Sequence, residues 1–565
     1  MGYVLGLGGP YHHDAAACLV GDGRVLAFAE EERFSRIKHH RDSRSAAQSA
    51  AWCLRQSGIG WADIDDVAVA WNPYWPNYCD RIGDAELIAE LLGPDARAAG
   101  APRRLTVIGH HLAHAASAFY PAGVTEAAVL VVDGSGDGVS TSIHHGSPVG
   151  LRTVRELPYT QSLGWMYQNA TTHVGLGDWT NAGKLMGLAA YGQPRIELPF
   201  LHLTDDGYHL DLTRYGLPPF LGADATSRYT DFSYYRDLKL AYAKAFTDAG
   251  VPAQPPGGHH PDRMAVDLAT SVQAALQQAM LALATNALTL TGTATLCVAG
   301  GVALNCTSNG ILARTPAIAD LFVQPAASDA GCALGAALEC ARRRGDFTVP
   351  GPRQAHTLLG PEYSHAAIET ALAAAGARYS TPDDIAAAAA HRIAAGQVVG
   401  WFQGRAEAGP RALGARSILA DPRSTTLRDH VNRDVKRREM WRPLAPSMLD
   451  LTSWTTTPHG PAEAMIVAHH ATDTAHEQIP GVVHVDGTLR PQRVDPQIQP
   501  TYARLLREIQ AETGHAVVLN TSFNGPGEPI VATPADALAS GARLGLDALA
   551  IGDYLVDLTA SNTTR

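Results

Sequence analysis

The stretch Ala127–Gly138, AAVLVVDGSGDG, reads as a strand of six apolar residues running straight into a turn of acidic, hydroxyl and glycine residues. A short apolar run bounded by glycine is the pattern of a strand. The glycines after it let backbone N–H groups line a concavity fit for phosphate oxygens. Two more glycine turns follow apolar runs: Gly6-Leu7-Gly8-Gly9 and Ala299-Gly300-Gly301-Val302. None has the GxxxxGK pattern of the P-loop, and Gly6–Tyr11 lacks the last glycine of the dinucleotide fingerprint because Tyr11 stands there. Taken singly, each is better read as a hairpin turn.

Around these turns the chain alternates strands and helices, an α/β pattern. Tyr3–Gly8, Ala15–Val20 and Val25–Ala29 predict a β meander, and a helix from Asp42 or Ser43 ends at Ser57 before Gly58. A long helix is expected over Arg263–Leu290, then a strand, a Gly-Gly turn and a helix ending at Arg344. The segment RGDFTVPGPRQAHTLLGPE (Arg344–Glu362) breaks the periodicity. It sets the expected organisation: a first domain over 1–345, a linker over 346–365 and a second domain over 366–565. The 565 residues exceed what one core usually supports.

Net charge is −11, which disfavours nucleic acid and anionic membrane as partners unless positive charge is gathered in one place. Seven cysteines form no CxxC pair, so neither a disulfide framework nor a thiolate zinc site is expected. The opening MGYVLGLGGPYHHD is unlike a signal peptide, and no run of about 18 apolar residues marks a membrane span. The expectation is a soluble, cytoplasmic protein.

Two constellations carry chemistry. In HHLAH (His110–His114) a helix would put His110 and His114 on one face, where two imidazoles can grip one ion. Asp133 and Asp329, each in a loop of small residues, would add carboxylate ligands. HxxxH alone is better read as a pair that caps or packs a helix. The second constellation lies between Arg405 and Arg442, where ten basic residues face five acidic ones. A solvated helix face or a nucleic-acid patch would look similar, but Gly409-Pro410, Gly414 and Trp441-Arg442-Pro443 interrupt the run as a rigid pocket would. Guanidinium forks in such a pocket suit ATP and a second phosphorylated substrate.

Together these residues resemble the O-carbamoyltransferase family that includes the nodulation protein NodU and the antibiotic enzymes CmcH and TobZ. The motifs that carry the resemblance are HHDAAACLV (His12–Val20), EERFSRIKHH (Glu31–His40), HHLAHAASAFY (His110–Tyr120), VDGSGDG (Val132–Gly138) and GKLMGLAAYG (Gly183–Gly192). Later come CVAGGVALN (Cys297–Asn305), PAASDAGCALGAAL (Pro325–Leu338), GPRALGARSIL (Gly409–Leu419), VKRREMWRPLAPS (Val435–Ser447), HVDGTLRPQ (His484–Gln492) and LNTSFN (Leu519–Asn524). Ala182 stands before Gly183-Lys184, where many relatives carry Glu.

The resemblance implies an actin- and sugar-kinase-like first domain, similar to threonylcarbamoyl-transfer enzymes, and a YrdC-like second domain. That second domain would make carbamoyl adenylate from carbamoyl phosphate and Mg2+-bound ATP on Arg411, Lys436, Arg442, Arg490, Asn520 and Ser522. The first would hold the adenylate through Gly134, Gly136, Gly300, Gly301 and Asn305. There Fe2+ or Mn2+, with zinc also open, would sit on His110, His114, Asp133 and Asp329. His13 resembles the catalytic histidine, and Lys38 would contact the adenylate. The acceptor would be a small-molecule hydroxyl, on a sugar-bearing or macrocyclic natural product. The tyrosine-rich region 194–257 would line its pocket or pack the core. Two alternatives are a non-catalytic nucleotide-binding regulator and a tRNA threonylcarbamoyl-transfer protein. A hydrogenase-maturation carbamoyltransferase would need CxxC pairs.

Overall fold

A computed structural model describes the chain apart from residues 1, 10–12, 42, 44, 73–82, 103–104, 218–232, 258–260, 457–459 and 560–565. Its residues gather into two units, one of 1–10, 16–25 and 59–354, the other of 11–15, 26–58 and 355–565.

In the first unit the strand Ala127–Gly136 is buried from Ala127 to Asp133, as its apolar run requires. It pairs antiparallel with Val139–Ser147 and parallel with Thr295–Ala299. Gly150–Pro158 extends the sheet on the antiparallel side and Asp320–Val323 on the parallel side. The N-terminal half repeats the plan. Tyr3–Gly8 pairs antiparallel with Ala16–Gly21 and parallel with Asp66–Val69, which pairs parallel with Leu105–Val107. In each half a helix follows the last parallel strand: His110–Ala122 in one, Cys332–Arg344 in the other.

These two helices pack on each other, and each also packs against the sheet of the other half. Their contact is made of small side chains, so the backbones approach closely. A Cβ at Gly335 would overlap the Ala113 carbonyl, which makes glycine obligatory there. The crossing matters for function, because it brings the first turn of one helix beside the loop that precedes the other.

Of the six tyrosines of the 194–257 region, Tyr208, Tyr215, Tyr234 and Tyr242 are buried in the core. Tyr235 is half-buried, with its hydroxyl 3.4 Å from Ser135 Oγ, and Tyr229 lies outside the described residues.

The second unit is built on an eight-stranded mixed sheet whose strands alternate sides residue by residue. Ile418 and Ala420 join the core on one face, with Phe402, Phe523 and helix Pro534–Leu544. Leu419 points to the other face, with Trp401, Tyr502 and the helix pair Ile385–Ala394 and Pro500–Thr513. Each such fully buried large side chain contributes about 1.5–3 kcal/mol of hydrophobic stabilisation. The N-terminal segment of this unit is fastened by charge. Glu31 accepts the N–H groups of Gln48 and Ser49 at the start of helix Ala47–Ser57. Gly58, at φ 68°, closes that helix in the left-handed region. Buried Arg33 donates to Glu30 Oε2 at 2.6 Å and to the Gly409 carbonyl at 2.8 Å. Among the described residues no helix is long and apolar enough to cross a membrane.

Candidate functional site

Helix His110–Ala122 starts immediately after a strand and has no side-chain cap of its own. Asp137, from the glycine turn, accepts the His110 N–H at 2.7 Å instead. One helical turn on, His114 Nε2 lies 3.1 Å from His110 Nε2. Asp133 Oδ2 is 3.3 Å from His110 Nε2 and 3.8 Å from His114 Nε2, and Asp329 Oδ1 is 3.7 Å from His110 Nε2 and 3.6 Å from His114 Nε2. Four donors around an ion at about 2.1 Å would be about 3.4 Å apart, so the observed spacings fit a divalent ion. Two nitrogens and two carboxylate oxygens form a set accepted by iron, manganese or zinc.

Burial opposes charge on His110, but Asp329 and Asp133 outweigh it and push its pKa up to about 9. Burial would raise Asp133, yet His110 and His114 hold its carboxyl well below the usual range. A proton on His110 therefore stands where an ion would, and metal uptake releases it.

The glycines serve this cluster. Gly301 N–H donates to Asp133 Oδ1 at 2.8 Å, and at Gly136 a Cβ would collide with the His110 ring. Gly300, at φ 89°, sits against the Val132 carbonyl, and Gly134 lies beside Trp165. Asn305 caps helix Cys306–Ala313 through the Ser308 N–H at 3.0 Å and exchanges amide hydrogen bonds with Gln273 at 2.9 and 3.1 Å.

His111 points elsewhere, and its neighbours fix every proton of a buried chain. Burial and the charge of His110 hold His111 well below its ordinary pKa, and the Val139 carbonyl can only accept, so His111 Nε2 donates to it at 3.0 Å and His111 Nδ1 accepts from Ser142 at 2.9 Å. Ser142 Oγ then accepts from His144 Nε2 at 2.8 Å, and His144 Nδ1 accepts from Thr153 at 3.1 Å. Both rings must be neutral. Burial lowers the His144 pKa from 6.5 to about 4. A depressed histidine leaves stability intact above pH 6.5 and removes it as pH falls towards 4, by about 2 kcal/mol at pH 5. Thermal melts at pH 7 and 5 should show a smaller acid loss in His144→Gln than in the parent; equal losses would refute the assignment.

In the second unit the basic run separates by role. Arg423, Arg428 and Arg433 pair with adjacent aspartates Asp421, Asp429 and Asp434. Arg416 is fully buried, donates to four backbone carbonyls and stacks 3.6 Å from the Phe402 ring centre. The loop bearing half-buried Arg411 is pinned by Glu407, whose Oε1 accepts from the N–H groups of Leu413, Ala415 and Arg416.

Lys436, Arg438 and Arg442 converge with Arg490 and Lys38. Burial, then the charges of Arg438, Lys38 and Arg442, push Lys436 well below its ordinary pKa. Burial and the charges of Arg442 and Arg490 do the same to Arg438. At Lys38, loss of surrounding water outweighs the pull of Glu32, and Arg442 and Arg33 lower it further. Glu439 is 3.6 Å from Arg442, and Arg490 Nε is buried without a hydrogen-bond partner.

Lys436 itself spends its three protons on Ser522 O, Asn524 O and Asn524 Oδ1 at 2.6–2.8 Å, so it shapes the LNTSFN loop and presents charge. Asn520 is buried in the sheet, where Nδ2 donates to Ser447 Oγ at 2.9 Å and Oδ1 has no partner. His13 and Lys38 occupy the same unit, and one clamp ties their loops together: Asp14 Oδ1 meets His39 Nδ1 at 2.8 Å, and Asp14 N–H donates to the His39 carbonyl at 2.6 Å. Asp14 Oδ2 is 3.5 Å from His13 Nδ1. Asp14, Arg36, His39 and His40 all have left-handed backbones, a strain typical of functional loops. Arg438, Asp137, Asp14 and His39 contact or border the candidate residues and were not among them.

The family description "Carbamoyltransferase N-terminus" matches residues 3–90 and 86–338, and "Carbamoyltransferase C-terminus" matches 390–557. An uncharacterized protein of Synechocystis sp. is 34% identical over 620 residues, spanning 99% of this chain and 97% of its own. Nodulation protein NolNO of Sinorhizobium fredii is 36% identical over 576 residues, with 98% of this chain and 80% of the relative covered. Nodulation protein U of Rhizobium tropici is 28% identical over 548 residues, 91% of this chain and 89% of its own. With both halves matched by that family, and relatives aligned over nearly its whole length, this chain belongs to the carbamoyltransferases.

Proposed function

We propose that the chain is a cytoplasmic, ATP-dependent O-carbamoyltransferase that works in two half-reactions. In the first, carbamoyl phosphate gives up its phosphate to water, and an oxygen of the remaining carbamate displaces pyrophosphate from the α-phosphorus of Mg2+-bound ATP. The product is carbamoyl adenylate. Arg411, Lys436, Arg442, Arg490, Asn520 and Ser522 would bind these reactants, with Lys38 beside the adenylate. In the second, a hydroxyl of a sugar-bearing or macrocyclic natural product attacks the carbamoyl carbon and AMP leaves. Fe2+ or Mn2+ on His110, His114, Asp133 and Asp329 would polarise the carbamoyl oxygen. His13, oriented by Asp14, would take the proton of the acceptor hydroxyl. Gly134, Gly136, Gly300, Gly301 and Asn305 would frame the adenylate in the first unit.

The observation that supports this most is the convergence of Lys38, Lys436, Arg438, Arg442 and Arg490. Like charges drawn out of water oppose one another, and a polyanion offsets that cost. The free cysteines among the described residues are all buried, in keeping with a reducing compartment. Purified protein given ATP, Mg2+ and carbamoyl phosphate should release pyrophosphate, and release AMP once an acceptor is added. ATP binding without pyrophosphate release under any condition would favour a non-catalytic nucleotide-binding protein instead.

A further inference from the structure

Helix Cys332–Arg344 begins one turn after Asp329, and its first residue sets a sulfur beside the histidine pair. Cys332 Sγ and one ring nitrogen each of His110 and His114 lie within 4.8 Å of one another, all three side chains being buried. His114 Nδ1 is also buried without a hydrogen-bond partner. The two imidazoles thus belong to two donor sets. With Asp133 and Asp329 they offer two nitrogens and two oxygens; with Cys332 they offer two nitrogens and a sulfur.

Carboxylates suit Mn2+ and Mg2+, whereas thiolate draws thiophilic ions. We propose that the centre has a second, sulfur-bearing coordination mode, in which Zn2+ or Cd2+ binds His110, His114 and the Cys332 thiolate. A metal–sulfur bond forms, the S–H bond breaks, and the proton leaves to solvent, with no change of oxidation state. Donors around such an ion, at about 2.1 Å for nitrogen and 2.3 Å for sulfur, would be about 3.4–3.6 Å apart, a spacing compatible with three atoms that lie within 4.8 Å of one another. The donors that an ion recruits therefore sort metals by their preference for sulfur or oxygen.

The inference rests on His110 and His114 being metal ligands, as in the reading above. Its test is metal titration of the full chain stripped with a chelator. With Co2+, a sulfur-to-metal charge-transfer band should appear in the near ultraviolet and vanish in Cys332→Ser. Cd2+ affinity should fall at least about 100-fold in that variant, more than loss of a supporting residue costs, with Mn2+ affinity unchanged. Asp329→Asn should do the reverse, weakening Mn2+ and keeping the band, which carries the test should Cys332→Ser fail to fold. Mn2+ binding by the parent without any sulfur band, or a band that survives Cys332→Ser, overturns the sulfur mode alone. Failure to bind Mn2+, Co2+ or Cd2+ at all overturns the metal centre together with it.

Discussion

Alanine at Arg442 is expected to cut carbamoyl-phosphate-dependent pyrophosphate release about 10²–10³-fold, the usual loss when one preorganised donor is removed from developing phosphate charge. Arg442 stands among Arg438, Arg490 and Lys38, with Glu439 at 3.6 Å. Its loss relieves repulsion in the ligand-free protein, so the thermal midpoint should hold or rise while activity falls. That opposition separates a lost ligand contact from a damaged fold. Arg442→Lys should lie between, because the charge survives and the two-pronged donor geometry does not. His114→Ala should behave in the opposite sense, keeping pyrophosphate release and losing carbamoyl transfer. Equal pyrophosphate release by Arg442→Ala and the parent would remove Arg442 from the adenylating site.

Much of this was legible where local chemistry decides. Glycine after an apolar helix stops it in the left-handed region at Gly58, and the long helix expected over Arg263–Leu290 runs over Arg263–Thr291. The histidine pair was legible because a four-residue spacing is geometry, and Asp133 because it ends a buried strand. Asp329 was read from its loop of small residues, and the packing of two helices from opposite halves is what carries it to the pair. Local pattern does not show that Arg33 meets Gly409, or that Gly301 spends its N–H on Asp133.

The basic run was the least legible part. Residues Val431–Val435 form a turn wider than an α-helix, which shifts the phase of everything after it. After it Lys436 is buried, Arg437 exposed and Arg438 half-buried. Arg416 reads in sequence as one more pocket arginine, yet its guanidinium is spent on backbone carbonyls that close the loop. A count of charges shows that cations gather; only packing shows which of them lack local partners.

Asparagine at Asp133 should weaken Mn2+ binding by at least about 100-fold, more than loss of a supporting residue costs, and should abolish transfer with pyrophosphate release intact. The substitution keeps shape. Asn Oδ1 can still accept the Gly301 N–H that Asp133 holds at 2.8 Å, so the glycine turn stays in place. What changes is charge. Asp133 is one of the carboxylates that hold the His110 proton, so the variant's His110 should titrate below about 9. A lower pKa removes some of the proton competition and so favours the metal, while loss of the carboxylate ligand opposes it. The ligand term should win, because one anionic oxygen of the donor set is gone and a neutral amide oxygen replaces it. Calorimetric titration with Mn2+ at pH 7 and 9 separates the two, since the proton term fades at the higher pH and the ligand term does not. Parent-like affinity at both would mean that Asp133 orders the loop and does not bind the ion.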